Sequence, residues 1–308
     1  MRHWLEVVAL AALVAGATAP AHAQPHCDRT CLTGFIDAYF AALFANDAAA
    51  LRQAARARIT ENGAEKRLAD TFWNSAAEAV YRFDIVNTDR GDTGTQTVIR
   101  NADGSKTMHM VRLKVLNGAI TEIETVKANQ GEADGLWGPD QLTSVSPDLL
   151  HSIREAERDS YYELIATAEG YWRAFQTNGT PAYRPARLLP DAHRYENGLQ
   201  TTGLVRNGEY QSAQRGFDEG RFLNRNIWDR RYPVVDEERG IVLSIVRFGI
   251  KGGATSQSTV TANDRLVAEF FAVKRGYIQE IQAVLFNLPD AQPTGWPPDT
   301  GPGRGATH

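Results

Sequence analysis

The sequence contains little cysteine and no concentrated positive charge. Cys27 and Cys31 are the only cysteines among its 308 residues. Two thiols are too few for a structural zinc site, which normally takes four ligands, and they lack the Cys-x-x-Cys spacing of thiol redox enzymes. The formal net charge of -4, without a Lys/Arg-rich run, excludes the electrostatic pattern of a nucleic-acid-binding protein.

Common catalytic motifs are absent as well. No Gly-x-Gly-x-x-Gly follows a strand-like segment, and the chain has no Walker loop, no His-Glu-x-x-His and no Gly-x-Ser-x-Gly. These absences argue against dinucleotide enzymes, P-loop NTPases, zinc proteases and α/β-hydrolases. We therefore expect neither a cofactor nor a metal, and a small molecule as the partner.

The N-terminus lacks an apolar run long enough to span a bilayer. Arg2 precedes an apolar stretch at residues 7–17, about half the ~20 residues that a span needs. Ala21-His22-Ala23 then supplies a small-x-small cleavage pattern. We expect a signal peptide at residues 1–23 and a periplasmic or secreted protein. In such an oxidising compartment Cys27 and Cys31, one helical turn apart, form a local disulfide or remain free thiols.

A tandem repeat organises the rest of the chain. Glu61-Asn62-Gly63 recurs as Glu196-Asn197-Gly198, and Ile120-Thr-Glu-Ile123 recurs as Ile278-Gln-Glu-Ile281. We predict a first domain at residues 27–127, a linker at 128–157, a second domain at 158–288 and a disordered Pro/Gly-rich tail at 289–308. The number of residues that separates equivalent positions of the two copies increases along the chain. This increase predicts insertions in the second domain at residues 203–220 and 251–263.

Each repeat changes its hydrophobic period from helical to strand-like. The spacing predicts an amphipathic helix over residues 32–43, shorter helices at 48–57 and 66–79, and antiparallel strands from Tyr81 onward, joined by turns that end at Gly104 and Gly118. The second repeat restarts with a helix from Tyr161. The predicted class is α+β, with N-terminal helices packed on a curved antiparallel sheet in each domain.

This order of elements resembles the cone-shaped NTF2-like fold of SnoaL-type cyclases, ketosteroid isomerase and limonene epoxide hydrolase. More closely, the chain resembles a secreted family of unknown function with two such domains. The residues that carry the resemblance are Thr60-Glu61-Asn62, Asn117-Gly118-x-Ile120-Thr121-x-Ile123-Glu124-Thr125 and Arg230-Arg231-Tyr232-x-Val234-x-Asp236-Glu237. The resemblance implies tandem cones that pack as an internal pseudo-dimer within a monomer.

The resemblance also places Glu61 and Glu196 near the mouth of each cone, where enzymes of this superfamily keep an acid or base. His109 shares strand parity with Val111 and Leu113 and so faces the same apolar side. We therefore predict Glu61 and His109 as a catalytic pair in a pocket lined by Tyr39, Asn62 and Trp73. The alternatives are that Glu61 caps a turn, that His109 is a core residue and that Glu196 is mainly structural.

Arg247 and Glu269 are candidate charges of the second repeat. They lie on consecutive strands that are expected to form a hairpin, so we predict an Arg–carboxylate pair on one face, either structural or anion-binding. Arg230-Arg231 and Asp236-Glu237-Glu238 are expected to form a solvated surface network. The predicted function is an exported, cofactor-independent lyase, hydratase or isomerase acting on a small, partly apolar or sugar-derived molecule. The alternative is a non-catalytic periplasmic binding or interaction module.

Overall fold

The structure, a computed structural model, describes residues 27–133, 135–223, 225–250, 264–289 and 292–297. The predicted signal peptide at 1–23, the insertion at 251–263 and residues 298–308 of the predicted tail lie outside the described residues. The helices are α1 (Arg29–Phe44), α2 (Pro147–Leu150), α3 (Tyr161–Thr177) and α4 (Arg215–Asp218). Short 3-10 turns connect some of the strands.

Strands are the commonest regular structure of the described chain. The strands of the first half are β1 (Gln53–Glu61), β2 (Ala64–Glu65), β3 (Ala76–Asn87), β4 (Asp92–Asn101), β5 (Lys106–Leu116) and β6 (Ala119–Asn129). Those of the second half are β7 (Leu188–Glu196), β8 (Leu199–Thr202), β9 (Leu204–Arg206), β10 (Glu209–Gln211), β11 (Arg225–Asp236), β12 (Ile241–Ile250), β13 (Arg265–Lys274) and β14 (Tyr277–Asn287). The mixture of two large sheets with few helices confirms the α+β class.

The two six-stranded sheets have the same strand order. The first runs β2-β1-β6-β5-β4-β3 and the second β8-β7-β14-β13-β12-β11, while β9 and β10 form a separate hairpin. In each sheet the strand that carries Glu-Asn-Gly, β1 or β7, runs parallel to the last strand, β6 or β14. The remaining neighbours are antiparallel. The repeated tripeptide therefore ends equivalent strands.

The sheets and long helices form four layers. Helix α1 covers one face of the first sheet with Leu32, Ile36 and Leu43 buried, and α3 covers one face of the second. The remaining faces of the sheets pack against each other, with the rings of Phe83 and Phe270 5.5 Å apart. The order is helix, sheet, sheet, helix, so each sheet buries one face under its helix and the other against its counterpart.

Buried charge also joins the two sheets. Glu124 of β6 accepts from Arg112 of β5 at 3.1 Å and from Arg231 of β11 at 3.0 Å. Arg231 is 4% exposed and Asp236 only 1% exposed. The prediction of a solvated surface network was therefore wrong for Arg231 and Asp236, because the packing of one sheet on the other encloses them, whereas Arg230, Glu237 and Glu238 stay partly exposed.

Two of the predicted helices are wrong. Residues 48–57 form only a 3-10 turn at Ala48–Ala50, capped by Asp47, before β1 begins at Gln53. Residues 66–79 form two 3-10 turns that bury Leu68 and Trp73, followed by the start of β3. Alanine-rich local propensity favoured helix, but pairing of β1 with the distant strand β6 outweighs it.

Part of the predicted disordered tail is docked instead. Trp296 donates from Nε1 to Thr60 Oγ1 at 2.9 Å, and its ring lies 4.1 Å from the Arg58 guanidinium. A Cβ at Gly63 would lie 2.4 Å from the Pro293 carbonyl oxygen, so only glycine permits this approach. The segment Gln292–Pro297 therefore packs against the Glu-Asn-Gly turn of the first half.

The segment that follows the first sheet packs against the Glu-Asn-Gly turn of the second half. Gly138 donates its N–H to the Asn197 carbonyl at 3.0 Å, and a Cβ at Gly198 would lie 2.6 Å from Pro139 Cα. Within residues 128–157, Leu142 and Leu149 are also buried between the two sheets. The chain that leaves each sheet thus covers the Glu-Asn-Gly turn of the other half.

Candidate functional site

The asparagines of the repeated tripeptide form hydrogen bonds with the backbone of the neighbouring parallel strand. Asn62 has a φ of +49° and donates its N–H to the Thr125 carbonyl at 2.8 Å, while its Oδ1 accepts the Lys127 N–H at 2.8 Å. Asn197 has a φ of +45° and makes the same two bonds to β14, each at 2.9 Å. Asn62 was predicted to bind ligand, but its side-chain oxygen satisfies a strand N–H that would otherwise be unpaired.

The two glutamates of the repeat have different surroundings. In the first half Glu61 is 5% exposed, and each of its oxygens has a partner. Oε1 accepts from Lys66 Nζ at 2.7 Å, and Oε2 accepts from the Phe72 N–H at 2.7 Å. This arrangement matches the turn-capping alternative, in which the carboxylate fixes the loop that follows it.

His109 lies inside the aromatic core of the first half. Its Nδ1 is 2.9 Å from Thr97 Oγ1, and its ring centroid is 4.9 Å from that of Phe72 and 6.5 Å from that of Tyr39. Nε2 has no hydrogen-bond partner among the described residues. Burial, with a smaller contribution from the charge of Lys127, lowers the pKa of His109 to about 3. The imidazole therefore stays neutral at physiological pH.

The predicted pocket of the first half is filled by side chains. Tyr39 and Trp73 are each 1% exposed, with their rings 5.3 Å apart. Phe72 contacts His109 with its ring and Glu61 with its N–H. Glu61 and His109 thus share the helix-facing side of the sheet, but packed aromatic rings occupy the space that a substrate would need.

The equivalent region of the second half contains a cavity of about 90 Å³. Its apolar wall comes from α3, β12 and the loop after α4, and its aromatic residues are Tyr171, Trp172, Phe175, Phe222 and Phe248. Its charged residues are Arg194, Glu196, Arg225, Arg265 and Glu269. Two of the predicted binding residues, Glu196 and Glu269, therefore line one cavity.

Glu269 is the most perturbed carboxyl group of this cavity. It lies in the middle of β13, opposite Ser244 and Ala283, and is 4% exposed. Burial and then the negative charge of Glu196 raise the pKa of Glu269 to about 8, against the opposing effect of Arg194. At neutral pH the folded protein therefore holds Glu269 mainly as the neutral acid.

Glu196 is held by an arginine of its own strand. Arg194 Nε lies 3.3 Å from Glu196 Oε2, and Arg194 Nη1 donates to the Tyr171 hydroxyl at 3.4 Å. Burial raises the pKa of Tyr171 above its ordinary value. Glu196 therefore has a cation beside it, whereas Glu269 in the same cavity has none at ion-pair distance among the described residues.

The predicted pair of Arg247 and Glu269 does not form. Arg247 lies opposite Leu266, whereas Glu269 lies opposite Ser244, so the two side chains point to opposite faces of the sheet. Arg247 instead bonds Asp264 at 2.7 Å on the face away from the cavity. The prediction was wrong because the hairpin register differs by one residue from the one assumed, and a shift of one residue moves a side chain to the other face.

The sequence contained a signal for the residues that were missed. Arg265, Val267 and Glu269 alternate along β13, and Arg194 and Glu196 alternate along β7. Arg265 and Val267 therefore lie on the same face of the sheet as Glu269, and Arg194 lies on the same face as Glu196. The cavity residues Arg194 and Arg265 could have been found by following the parity of Glu196 and Glu269.

The cysteines are joined at the start of α1. Cys27 and Cys31 form a disulfide with their Cα atoms 5.2 Å apart. Asp28 lies between them and accepts the Cys31 N–H at 2.8 Å as the helix N-cap. The cross-link and the cap together define where the first helix begins.

Neither a metal-binding cluster nor a membrane-spanning helix occurs in the described part of the chain. No group of three or more His, Cys, Asp or Glu side chains there is placed to hold a metal ion. Likewise, no helix within the described ranges is both long and apolar enough to cross a membrane.

Comparison with known proteins matches one family model to part of the second half of the chain. Residues 157–285, which contain α3, the second sheet and the cavity, match the model of a family described as Domain of unknown function (DUF8021). No curated protein matches the chain. One solved structure, an NTF2-like protein of unknown function from Shewanella baltica OS155, aligns at 10% identity over 32% of this chain and 92% of its own, with a TM-score of 0.25.

Proposed function

We propose that the second half of this protein is a cofactor-independent lyase, hydratase or isomerase whose acid/base groups are Glu269 and Glu196. The observation that carries the proposal is the buried Glu269 carboxyl group, which faces an aromatic cavity beside the Glu196 carboxylate. Two carboxyl groups in unlike surroundings supply a proton donor and a proton acceptor at the same pH. This assignment moves the chemistry from Glu61 and His109 to the second half.

The two glutamates take different roles. Glu196, whose charge is balanced by Arg194, accepts a proton from a substrate carbon next to an electron-withdrawing group. Glu269 donates its proton either to a leaving hydroxyl, which departs as water, or to another carbon of the substrate. The first outcome is an elimination and the second an isomerisation, and in both the proton count of the two glutamates balances.

The whole molecule fits a tandem pair of NTF2-like, SnoaL-like cone domains. Support comes from the identical strand order of the two sheets and the equivalent bonds of Asn62 and Asn197. In this proposal the first cone is a filled, structural partner, and the two cones form the internal pseudo-dimer. Export of the chain to the periplasm or exterior remains a prediction from residues 1–23.

Solvent exchange tests the chemistry even when the product is unidentified. Pools of small hydroxy, keto and sugar acids are incubated with the protein in D₂O, and NMR follows loss of carbon-bound hydrogen. We expect exchange that E269Q reduces at least about 100-fold, because removal of the carbon-bound proton by Glu196 is coupled to proton donation by Glu269, and a positioned acid contributes on that order. We also expect the rate to fall as the pH rises above about 8, where Glu269 loses its proton.

Glu280→Gln is the matched control. Glu280 is also a buried carboxyl group of the second sheet, but it bonds the Gln282 amide at 2.6 Å and does not line the cavity. E280Q should therefore retain exchange. Equal exchange in wild type and E269Q would exclude the proposed acid/base role.

The alternative function is a small-molecule-binding module without turnover. The observation that favours it is the size of the cavity, since about 90 Å³ corresponds to about three water molecules and leaves little room for a reaction with a large substrate. Binding of a pool member without exchange or product, and unchanged by E269Q, would support this alternative.

A further inference from the structure

Arg225 is a buried cation without an ion-pair partner among the described residues. It begins β11 and is 8% exposed, yet its Nε has no hydrogen-bond partner within the described ranges, and no carboxylate there forms an ion pair with it. Other buried arginines of the sheets, such as Arg112 and Arg231, have carboxylate partners. Burial of an unpaired cation is costly, so this position calls for an anion.

A second arginine lies beside it. Arg265 begins β13, is 7% exposed and donates from Nε to Asn287 Oδ1 at 3.3 Å. Burial and the positive charge of Arg265 lower the pKa of Arg225 below its ordinary range.

Both arginines line the same cavity as the proposed acid/base pair. Arg265 and Glu269 share a strand face and are four residues apart, about 13 Å along the strand. The long arginine side chains shorten that gap, so a ligand bridging it must be small. The cavity therefore has cationic side chains at one end and the carboxyl pair at the other.

We propose that Arg225, together with Arg265, binds the carboxylate of a small organic acid. This inference rests on the proposed function where it treats the bound acid as the substrate. The reacting carbon of that substrate lies next to the carboxylate that the arginines bind. Guanidinium groups bind carboxylates through two parallel hydrogen bonds, which would also orient the acid toward Glu196 and Glu269.

Binding of acetate to the full chain tests the inference directly. Acetate is titrated at constant ionic strength in sodium chloride and followed by NMR, with acetamide as the uncharged analogue. We expect acetate to bind at least about tenfold more tightly than acetamide, and R225Q to remove that preference. Equal affinity for the two probes, or an unchanged preference in R225Q, would overturn the proposal, as would tighter binding of inorganic phosphate than of acetate.

The controls separate a binding arginine from a structural one. Arg56→Gln removes the same charge from an exposed position in the first half and should change acetate affinity less than twofold. R225Q without ligand should keep or raise the melting temperature, because it removes an unbalanced buried charge. R225K should retain part of the acetate preference. A large drop in melting temperature for R225Q, without rescue by R225K, would assign Arg225 a structural role instead.

Glu269→Gln separates this proposal from the proposed function. If E269Q binds acetate within about twofold of wild type and R225Q does not, the anion site stands whether or not exchange depends on Glu269. If E269Q loses exchange while R225Q binds acetate like wild type, the acid/base site stands and the anion site is overturned.

Discussion

At the scale of single residues, equivalent positions of the two halves differ in their bonding partners and surroundings. Glu61 and Glu196 end equivalent strands, but Lys66 and the Phe72 N–H bond both oxygens of Glu61. Glu196 has only its strand neighbour Arg194 as an ion-pair partner among the described residues and lies in a cavity with Glu269. The position equivalent to Glu269 in the first half is Val111, which is buried in the core. A valine cannot exchange a proton, and this single difference favours the second half for chemistry.

The raised pKa of Glu269 should make stability depend on pH. Below about pH 4.5 the group is protonated in both the folded and unfolded states, so it contributes no pH dependence. Between pH 4.5 and about 8 only the unfolded state loses the proton, so folding stability falls by an amount on the order of a few kcal/mol. Urea unfolding at pH 5 and pH 8 should show E269Q gaining relative to wild type at the higher pH.

An exposed glutamate provides the control for this measurement. Glu155 lies on the surface before α3, so E155Q should follow the wild-type pH dependence. An equal stability difference between E269Q and wild type at pH 5 and pH 8 would contradict the raised pKa.

At the scale of elements, the asparagines of the Asn-Gly turns after β1 and β7 bond the strands that run parallel to them, β6 and β14. Parallel neighbours cannot be closed by a tight hairpin, so their alignment depends on bonds such as those of Asn62 and Asn197. The asparagine adopts the left-handed conformation and spans the ladder with its side chain. The fold therefore requires Asn-Gly at both turns, which accounts for this part of the repeated tripeptide.

Asn197→Ala should lower the free energy of unfolding by about 2–4 kcal/mol. The substitution leaves the buried Leu285 N–H and Leu285 carbonyl without their side-chain partners and strains the left-handed backbone. Asn207 is the matched control, because it also has a positive φ, of +54°, but is exposed. N207A should cost about 1 kcal/mol. Equal losses in N197A and N207A, measured by urea unfolding, would show that the side-chain bonds contribute nothing.

At the scale of the whole molecule, reciprocal contacts bind the two halves together. Glu124 bonds arginines from both sheets, the sheet faces turned away from the helices form a common core, and each chain segment that leaves a sheet covers the turn of the other half. Each half therefore completes the surface of its neighbour. Separate expression of either half would expose an apolar sheet face and an uncovered turn.

Trp296→Ala should destabilise the protein by about 2–3 kcal/mol even though it lies outside both sheets. The change removes the bond to Thr60 and the ring that lies 4.1 Å from Arg58 and 4.8 Å from Arg112. W296F keeps the ring and should lose only about 1 kcal/mol, the contribution of the hydrogen bond. Tyr210→Ala on the exposed β9–β10 hairpin should have almost no effect. Chemical unfolding of the variants checks the order, and wild-type stability in W296A would show that the docked segment is unimportant.

The sequence by itself determined the features that depend on neighbouring residues. The alternation of Tyr81, Phe83 and Ile85 predicted β3, the helical spacing predicted α1 and α3, and the glycine turns predicted the hairpins, because period and turn chemistry act over a few residues. Only the tertiary structure decided that β1 begins at Gln53, since Gln53 pairs with Ile120 of the distant strand β6.

Side-chain environment also required the fold. The hairpin register separates Arg247 from Glu269, and pairing of β7 with β14 brings Glu196 into the cavity that contains Glu269. A shift of one residue, which the strand pattern cannot distinguish, would exchange the two faces of β12. The burial that raises the pKa of Glu269, and that surrounds Arg225 without an ion-pair partner in the described part of the chain, arises only when α3 packs on the second sheet.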